Sequence, residues 1–408
     1  MAVRDRRLTL PQIAEKLNAT AVVEGSVLPG KDTATLTVQL IDAGTDTHIW
    51  SDRVQLSVGR LFEQQRSVAA EIARQLTTAD ARPAARPTGD SVDPEALNCY
   101  LLGRFHWYKL DPMHFPIALG HFEQAIAIEP KFSAAYAGIA DVWGAMGYWG
   151  ATSAVEVRDK IREAVEKALE LDPMGAEAHM LAGAYEFHVV HDWLAARSNL
   201  EQAIEYNPSL SHARLLLALF LGTLGEPEAR AQLAKARQLD PLNASIWMAS
   251  AMHAAFERRT DEAKQYLERT FELDPAFPPA HELRADLAWQ SGAGDAVVLE
   301  RGLWQTDEPV SLALSAATGA DDRDKLAAAA QVLDARSNET YVSPRIIARL
   351  YSLAAATDKA IDVLFRAIGA EDLMQPDLVT MMPAFEPVRR HPRFGQLREA
   401  LGLPPLRS

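Results

Sequence analysis

The chain has 408 residues, 48% of them apolar, and carries a formal net charge of −14. That much apolar residue excludes a wholly disordered chain, and the excess of acid disfavours non-specific nucleic-acid binding, which depends on Lys/Arg patches facing phosphate. A single cysteine, Cys99, excludes an intrachain disulfide and a Cys-based zinc site.

The amino-terminal stretch MAVRDRRLTLPQIAEKL lacks the apolar run of a signal peptide. No later stretch approaches the roughly 20 apolar residues that span a bilayer. The chain is therefore expected to be soluble and cytoplasmic, although a membrane helix upstream of Met1 would place it outside the cytoplasm. Residues 1–80 read as mixed α and β. Ile13, Ala14 and Leu17 have helical spacing, and Ala21–Val27 is a short β-rich run that ends at the Pro29-Gly30 turn. From Ala34 to Ile41, Leu36, Val38 and Leu40 alternate with Thr35, Thr37 and Gln39, the period of a half-buried strand. A third strand is expected over His48–Val54. The period then lengthens, with Leu61, Phe62, Val68, Ala69, Ile72, Ala73 and Leu76 forming one helical stripe. Three strands are marginal as a sheet on their own, so the domain reads as incomplete, its remainder lying upstream of Met1. Residues 81–93 read as a linker, broken by Pro83, Pro87 and Gly89.

From Pro94 the chain repeats. Pro130, Pro173, Pro208, Pro241, Pro275, Pro309 and Pro344 follow one another at spacings of 43, 35, 33, 34, 34 and 35 residues, close to the tetratricopeptide period of about 34. A helix with small or apolar residues on one face precedes most of these prolines. Ala118, Phe122 and Ala125 recur as Ile161, Val165 and Ala168, then Ala196, Leu200 and Ala203, then Ala229, Leu233 and Ala236, then Ala263, Leu267 and Thr270. Six residues past each proline stand Tyr136, His179, Arg214, Trp247 and His281, and four further on Ala140, Gly183, Ala218, Ala251 and Ala285. An opening unit fits Leu102-Gly103, and a late one fits Ala360, Leu364 and Ala367 with Asp372 at the proline site. Between Pro275 and Pro344 the pattern is degenerate, with Val297, Arg301 and Trp304 at the key positions.

These motifs resemble tetratricopeptide repeats (TPRs). The resemblance implies a mainly α fold, a right-handed superhelical solenoid over residues 94–380 with about eight units, six of them clear, closed by a capping segment over 381–408. Glu24-Gly25-Ser26-Val27 and His48-Ile49-Trp50 are similar to a TolB-like or FlgO-like α/β domain, here a truncated copy over residues 1–80. Bacterial winged-helix regulators, adenylate cyclases and Ser/Thr kinases join such a domain to carboxy-terminal TPRs. The resemblance to them implies, as an alternative function, the sensor half of a regulator without its effector module.

The leading expectation is a non-enzymatic scaffold that binds a partner peptide or helix in its groove. By the family pattern, the groove is lined by Glu177, Met180, Phe187 and His188, by His212, Leu215 and Leu219, by Met248, Met252 and Phe256, and by Glu282, Asp286 and Trp289. No Lys or Arg occurs in this set, so a clamp for a terminal carboxylate is not expected. The Met-rich middle suits an adaptable apolar contact; the competing reading is that these side chains pack within a tightly wound superhelix. No cofactor, metal or catalytic residue is assigned. There is no G-x-S-x-G, no phosphate loop and no H-E-x-x-H. His188 and His191 are read as packing or solvated side chains rather than metal ligands, and Cys99 as a buried, inert thiol.

Overall fold

The computed structural model describes residues 19–29, 33–43, 47–57, 92–109, 113–291 and 323–404, with Ala14, Val68 and Glu71 as single positions. The chain divides into two compact units, one formed by residues 1–105 with 120–132 and the other by 106–119 with 133–408. The helical stripe expected from Val58 to Leu76 falls almost wholly outside the described residues, as do nearly all of the linker, Val297, Arg301 and Trp304.

In the first unit, β1 (Ala21–Pro29), β2 (Thr33–Asp42) and β3 (Thr47–Ser57) form an antiparallel sheet in the order β1-β2-β3. The alternation seen in the sequence holds for Val38 and Leu40, which are buried, and then breaks, because the neighbouring Ile41 is buried too. The register shifts at the same point. Leu40 pairs with Trp50 but Ile41 with His48, so Ile49 is the extra residue on β3. The same unit contains most of α1 (Pro94–Trp107). Gly103 on α1 lets the Phe122 ring approach; a Cβ there would lie 2.6 Å from that ring. Cys99 is half-buried rather than buried, with its Sγ towards Gln124.

In the second unit the chain folds into helix pairs. α3 (Ser133–Tyr148) packs on α4 (Ala154–Leu171), α5 (Ala176–Tyr185) on α6 (Trp193–Tyr206), α7 (Ser211–Leu224) on α8 (Ala229–Leu239), and α9 (Ala244–Phe256) on α10 (Thr260–Leu273). α2 (Phe115–Ile128) precedes this series. α11 (Pro278–Gln290) continues it, and α12 (Arg323–Arg336), α13 (Pro344–Leu353) and α14 (Thr357–Gly369) close it. The first helices of successive pairs also lie against one another, α3 on α5, α5 on α7, α7 on α9 and α9 on α11. This is the TPR-type array that the repeat implies. The repeating small residues explain the close approach within each pair. Ala196, Leu200 and Ala203 on α6 are fully buried, and a Cβ at Gly183 on α5 would meet the Leu200 side chain at 2.7 Å.

One position in the repeat is filled by chemically different residues that share a function. His179 Nε2 lies 3.0 Å from the carbonyl of Pro173, Arg214 Nε 3.3 Å from Pro208 O, Trp247 Nε1 2.9 Å from Pro241 O, and His281 Nε2 2.9 Å from Pro275 O. Each is a planar N–H group six residues past the proline, and each donates to a carbonyl in the turn just past the end of the preceding helix, where carbonyls lack helical partners. At these four sites a flat side chain supplies the N–H donor, which is why His, Arg and Trp interchange there. Trp247→Phe keeps the ring and removes the donor. It is expected to lower the stability measured by urea unfolding by about 1 kcal/mol, with the helix content by circular dichroism unchanged.

Candidate functional site

The inner face of the array is the face that its first helices, α3, α5, α7, α9 and α11, turn away from their partners. The residues expected to line it lie on these first helices and on the turn that ends α5. Met180, Phe187, His188, Leu215, Leu219, Met248, Met252, Glu282, Asp286 and Trp289 are buried, and Glu177, His212 and Phe256 are partly exposed. What covers the face is the protein's own carboxy-terminal segment. After α14 the chain turns back, and every residue from Leu373 to Phe385 is buried. This strap holds the short helix α15 (Pro376–Met381) and a single 3-10 turn (Pro383–Phe385), followed by α16 (Glu386–Arg389) and α17 (Phe394–Ala400). α15 lies against α7 and α9, and the 3-10 turn against α11 and α13. The segment expected as an end cap from residue 381 thus begins on the inner face. Only its later part, α16 and α17, packs on the terminal helix α14. The apolar run LMQPDLVTMMPAF lacks the period of a surface helix because it is covered on all sides.

The strap is seated by specific contacts. Asp372 Oδ1 accepts a 2.7 Å hydrogen bond from the amide of Ala154, the first residue of α4, where free N–H groups and the helix dipole favour a carboxylate. Arg158, one turn on, pairs with Glu371. Gln375 Nε2 donates to the carbonyls of Gly147 and Tyr148 at the carboxy end of α3. Two glycines open holes for thioethers. A Cβ at Gly147 would collide with Met374 Sδ, and one at Gly222 would lie 2.6 Å from Met381 Sδ. At the far end, Gln290 Nε2 donates to Pro383 O at 3.0 Å, Ser352 Oγ to Ala384 O at 2.6 Å, and Ala384 N to Asp286 Oδ2 at 3.2 Å.

Two buried polar clusters sit along this seam. The first is Asp377, which is wholly buried. It accepts from Tyr148 Oη at 2.7 Å, and its other oxygen faces His188 Nδ1 at 3.8 Å. Neither that oxygen nor His188 Nδ1 has a hydrogen-bond partner. His188 reaches this point because α5 ends in a π-turn (Glu186–Val190), closed by His191 in the left-handed region at φ 62°. His191 stacks flat on Trp193, whose Nε1 donates to Leu401 O at 3.0 Å and so ties down the tail beyond the strap. Burial, opposed by the Tyr148 hydrogen bond, raises Asp377 to about 6, and burial lowers His188 to about 3.

The second cluster holds four charges. Arg345 NH1 lies 2.5 Å from Glu282 Oε1. Arg349 reaches Asp286 Oδ1 at 2.5 Å through NH2 and lies 3.1 Å from Glu282 through Nε, with all four side chains buried. Burial would raise Glu282, but Arg345 and Arg349 bring it below its ordinary value. The acidic end of the expected groove is therefore neutralised from within the chain. The arginines were not assigned a role from the sequence, although a signal existed: Glu282 and Asp286 stand four apart on α11, and Arg345 and Arg349 four apart on α13, so the helices present matching rungs. Tyr148, Gln375 and Asp377 left no such pattern. Among the described residues, no three His, Cys, Asp or Glu side chains converge as a metal site would require, and no helix is long and apolar enough to cross a membrane.

Two expectations follow. Arg349→Met strands Asp286 in a dry site and should cost about 3–5 kcal/mol in urea unfolding, whereas Arg349→Met with Asp286→Leu removes both charges and should recover most of that loss. The pH dependence of the first cluster can be read from the differences between variants and wild type. Asp377 is raised on folding, so the stability it contributes is present below its unfolded value near 3.8 and declines as pH rises through about 6. Asp377→Asn should therefore gain on wild type between pH 5 and 7.5. His188 is lowered on folding from 6.5 to about 3, so the neutral ring costs stability as pH falls through 6.5. His188→Gln should gain on wild type in the opposite direction, from pH 7 to 5, in thermal melts of the three proteins.

No protein-family model matches the sequence. Over 168 residues the chain is 28% identical to protein O-mannosyl-transferase TMTC3 of Homo sapiens, a match that takes in 39% of this chain and spans only 17% of that protein. Among solved structures the chain is similar to YrrB, a TPR protein with an unusual peptide-binding site, at 19% identity over 47% of this chain and 91% of that one, with a TM-score of 0.30. It is also similar to PilF of Pseudomonas aeruginosa at 19% identity, 60% and 93% coverage and a TM-score of 0.34. The type IV pilus biogenesis factor PilW matches at 14% identity, 61% and 96% coverage and a TM-score of 0.37.

Proposed function

We propose that the chain is a non-catalytic protein-interaction scaffold that takes up a partner peptide or helix on the inner face of its repeats, at and around Glu177, Met180, Phe187, His188, His212, Leu215, Leu219, Met248, Met252, Phe256, Glu282, Asp286 and Trp289. The observation that carries this reading is that the face already holds a polypeptide segment. Gln290 and Ser352 of the array donate to the strap carbonyls of Pro383 and Ala384, Asp286 accepts the Ala384 amide, and strap thioethers fill holes left by array glycines. Such a surface combines main-chain recognition with pockets for individual side chains, the usual division between affinity and specificity in peptide binding.

The test uses the full chain with a photo-crosslinking amino acid at His212 or Phe256, on the partly exposed rim of the face, and at the 84% exposed Leu194 on α6. A discrete protein partner captured in cells from His212 and Phe256 but not from Leu194 is the expected outcome. Capture from Leu194 alone, or the same background at all three positions, would remove the inner face as the binding surface.

A further inference from the structure

The strap differs from the helices it covers in how it is held. Within the array, pairs are joined by Ala, Leu and Phe side chains at full burial, as at Ala196, Leu200 and Ala203. The strap also buries apolar side chains, Leu378, Val379, Met382 and Phe385 among them, but along its seam polar atoms are buried with no hydrogen bond among the described residues: Asp377 Oδ1 on the strap, and His188 Nδ1, His191 Nε2, Arg345 Nε and Arg349 NH1 on the array. Each such atom forfeits water that it regains when the seam opens. The strap meets the array backbone only at helix ends, through the Ala154 amide and the Gly147 and Tyr148 carbonyls, and the ladders inside α3 to α11 are their own. Its own regular structure is the six-residue α15 and one 3-10 turn. A segment with little internal structure, docked through a partly unsatisfied polar seam onto helices that form their own ladders, has the makings of a unit that opens before the whole protein unfolds.

We propose that residues 371–386 are a displaceable internal ligand of the inner face, seated where a partner segment of the same chemistry binds. This deepens the scaffold reading above and rests on it. The seat defines the partner: a peptide that forms one short helical turn like α15, with a side-chain amide for the Gly147 and Tyr148 carbonyls, and a carboxyl two residues later for Tyr148 Oη and His188. Thioether or unbranched aliphatic side chains stand one residue before the amide and six after it, for the holes at Gly147 and Gly222. In the strap these are Gln375, Asp377, Met374 and Met381. Strap and partner exclude one another, so the free chain is held closed and a partner binds only to the fraction in which the strap has left.

Two measurements on the full chain test this. In native-state hydrogen exchange at urea concentrations below the unfolding transition, amides of residues 373–385 should exchange through an opening with a smaller urea dependence than those of α5, α7 and α9. Exchange of the strap only together with those helices overturns the proposal. In the second, a fluorescent synthetic peptide with the sequence of residues 371–386 is titrated against the wild-type chain and against Asp377→Lys, in which a buried ammonium beside Tyr148 and His188 drives the strap out. The Asp377→Lys chain should bind the peptide at least roughly tenfold more tightly than wild type, because the open fraction scales the apparent affinity, and a peptide carrying the same substitution should not bind. A folded Asp377→Lys chain that ignores the peptide, or one that loses the array with the strap, overturns the proposal. Crosslinking of a partner at His212 and Phe256 with no separate opening of the strap would leave the scaffold reading standing and remove this inference alone.

Discussion

A stack of helix pairs has two faces, and only the one between paired helices is dry by construction. The inner face here carries Met180, Phe187, Leu215, Leu219, Met248, Met252 and Trp289, far more apolar surface than a protein leaves in contact with water. Burial of a side chain of this size is worth about 1.5–3 kcal/mol. Something must cover the face, and the carboxy-terminal strap is what does so. The run of thirteen buried residues from Leu373 to Phe385, the thioethers set against Gly147 and Gly222 and the anchoring of Asp372 at the start of α4 all follow from that requirement.

Covering a face with the chain's own backbone brings polar groups into a dry place, and the two buried clusters show two ways of meeting this. At the α11 end, Glu282 and Asp286 meet Arg345 and Arg349 rung for rung, and Asp286 also accepts the Ala384 amide, so one neutral group of charges joins two helices and the strap. Such a cluster adds little net stability over an apolar equivalent, but it penalises any register in which one rung is missed. At the α3 end, Asp377 has a hydroxyl on one side and, 3.8 Å away on the other, the Nδ1 of an imidazole that is bonded to the Met374 backbone. One end of the seam is thus joined by paired charges, and the other by Asp377 together with Gln375, Asp372 and Glu371.

The π-turn at the end of α5 belongs to the same account. A regular helical end would leave His188 and His191 elsewhere. The wider turn, closed by a left-handed His191, aims one imidazole at the strap and lays the other on Trp193, which holds the tail. Local backbone irregularity here is what brings three segments distant in sequence to a common point.

The repeat itself was legible from the sequence. The proline period, the small residues of the paired helices and the strand alternation of Leu36, Val38 and Leu40 are local patterns set by short-range geometry, and the structure forms helices and strands on them. The residues assigned to the inner face come from the same positions repeated on each first helix. The occupant of that face was not. Which segment covers an apolar surface depends on where the chain is after several hundred residues of stacking, and no spacing in Leu373–Phe385 records that it returns to α3, α7 and α11. The tertiary structure alone brought Asp377 to Tyr148 and His188, Arg345 and Arg349 to Glu282 and Asp286, and Gln375 to the last carbonyls of α3. From the sequence by itself the array is expected to present an apolar face without Lys or Arg at the assigned positions, and the structure brings Arg345 and Arg349 to its acidic end. Only the packing of the whole unit decided that the chain would cover it, because a long-range contact is selected by the total of what it buries and not by any pattern at its two ends.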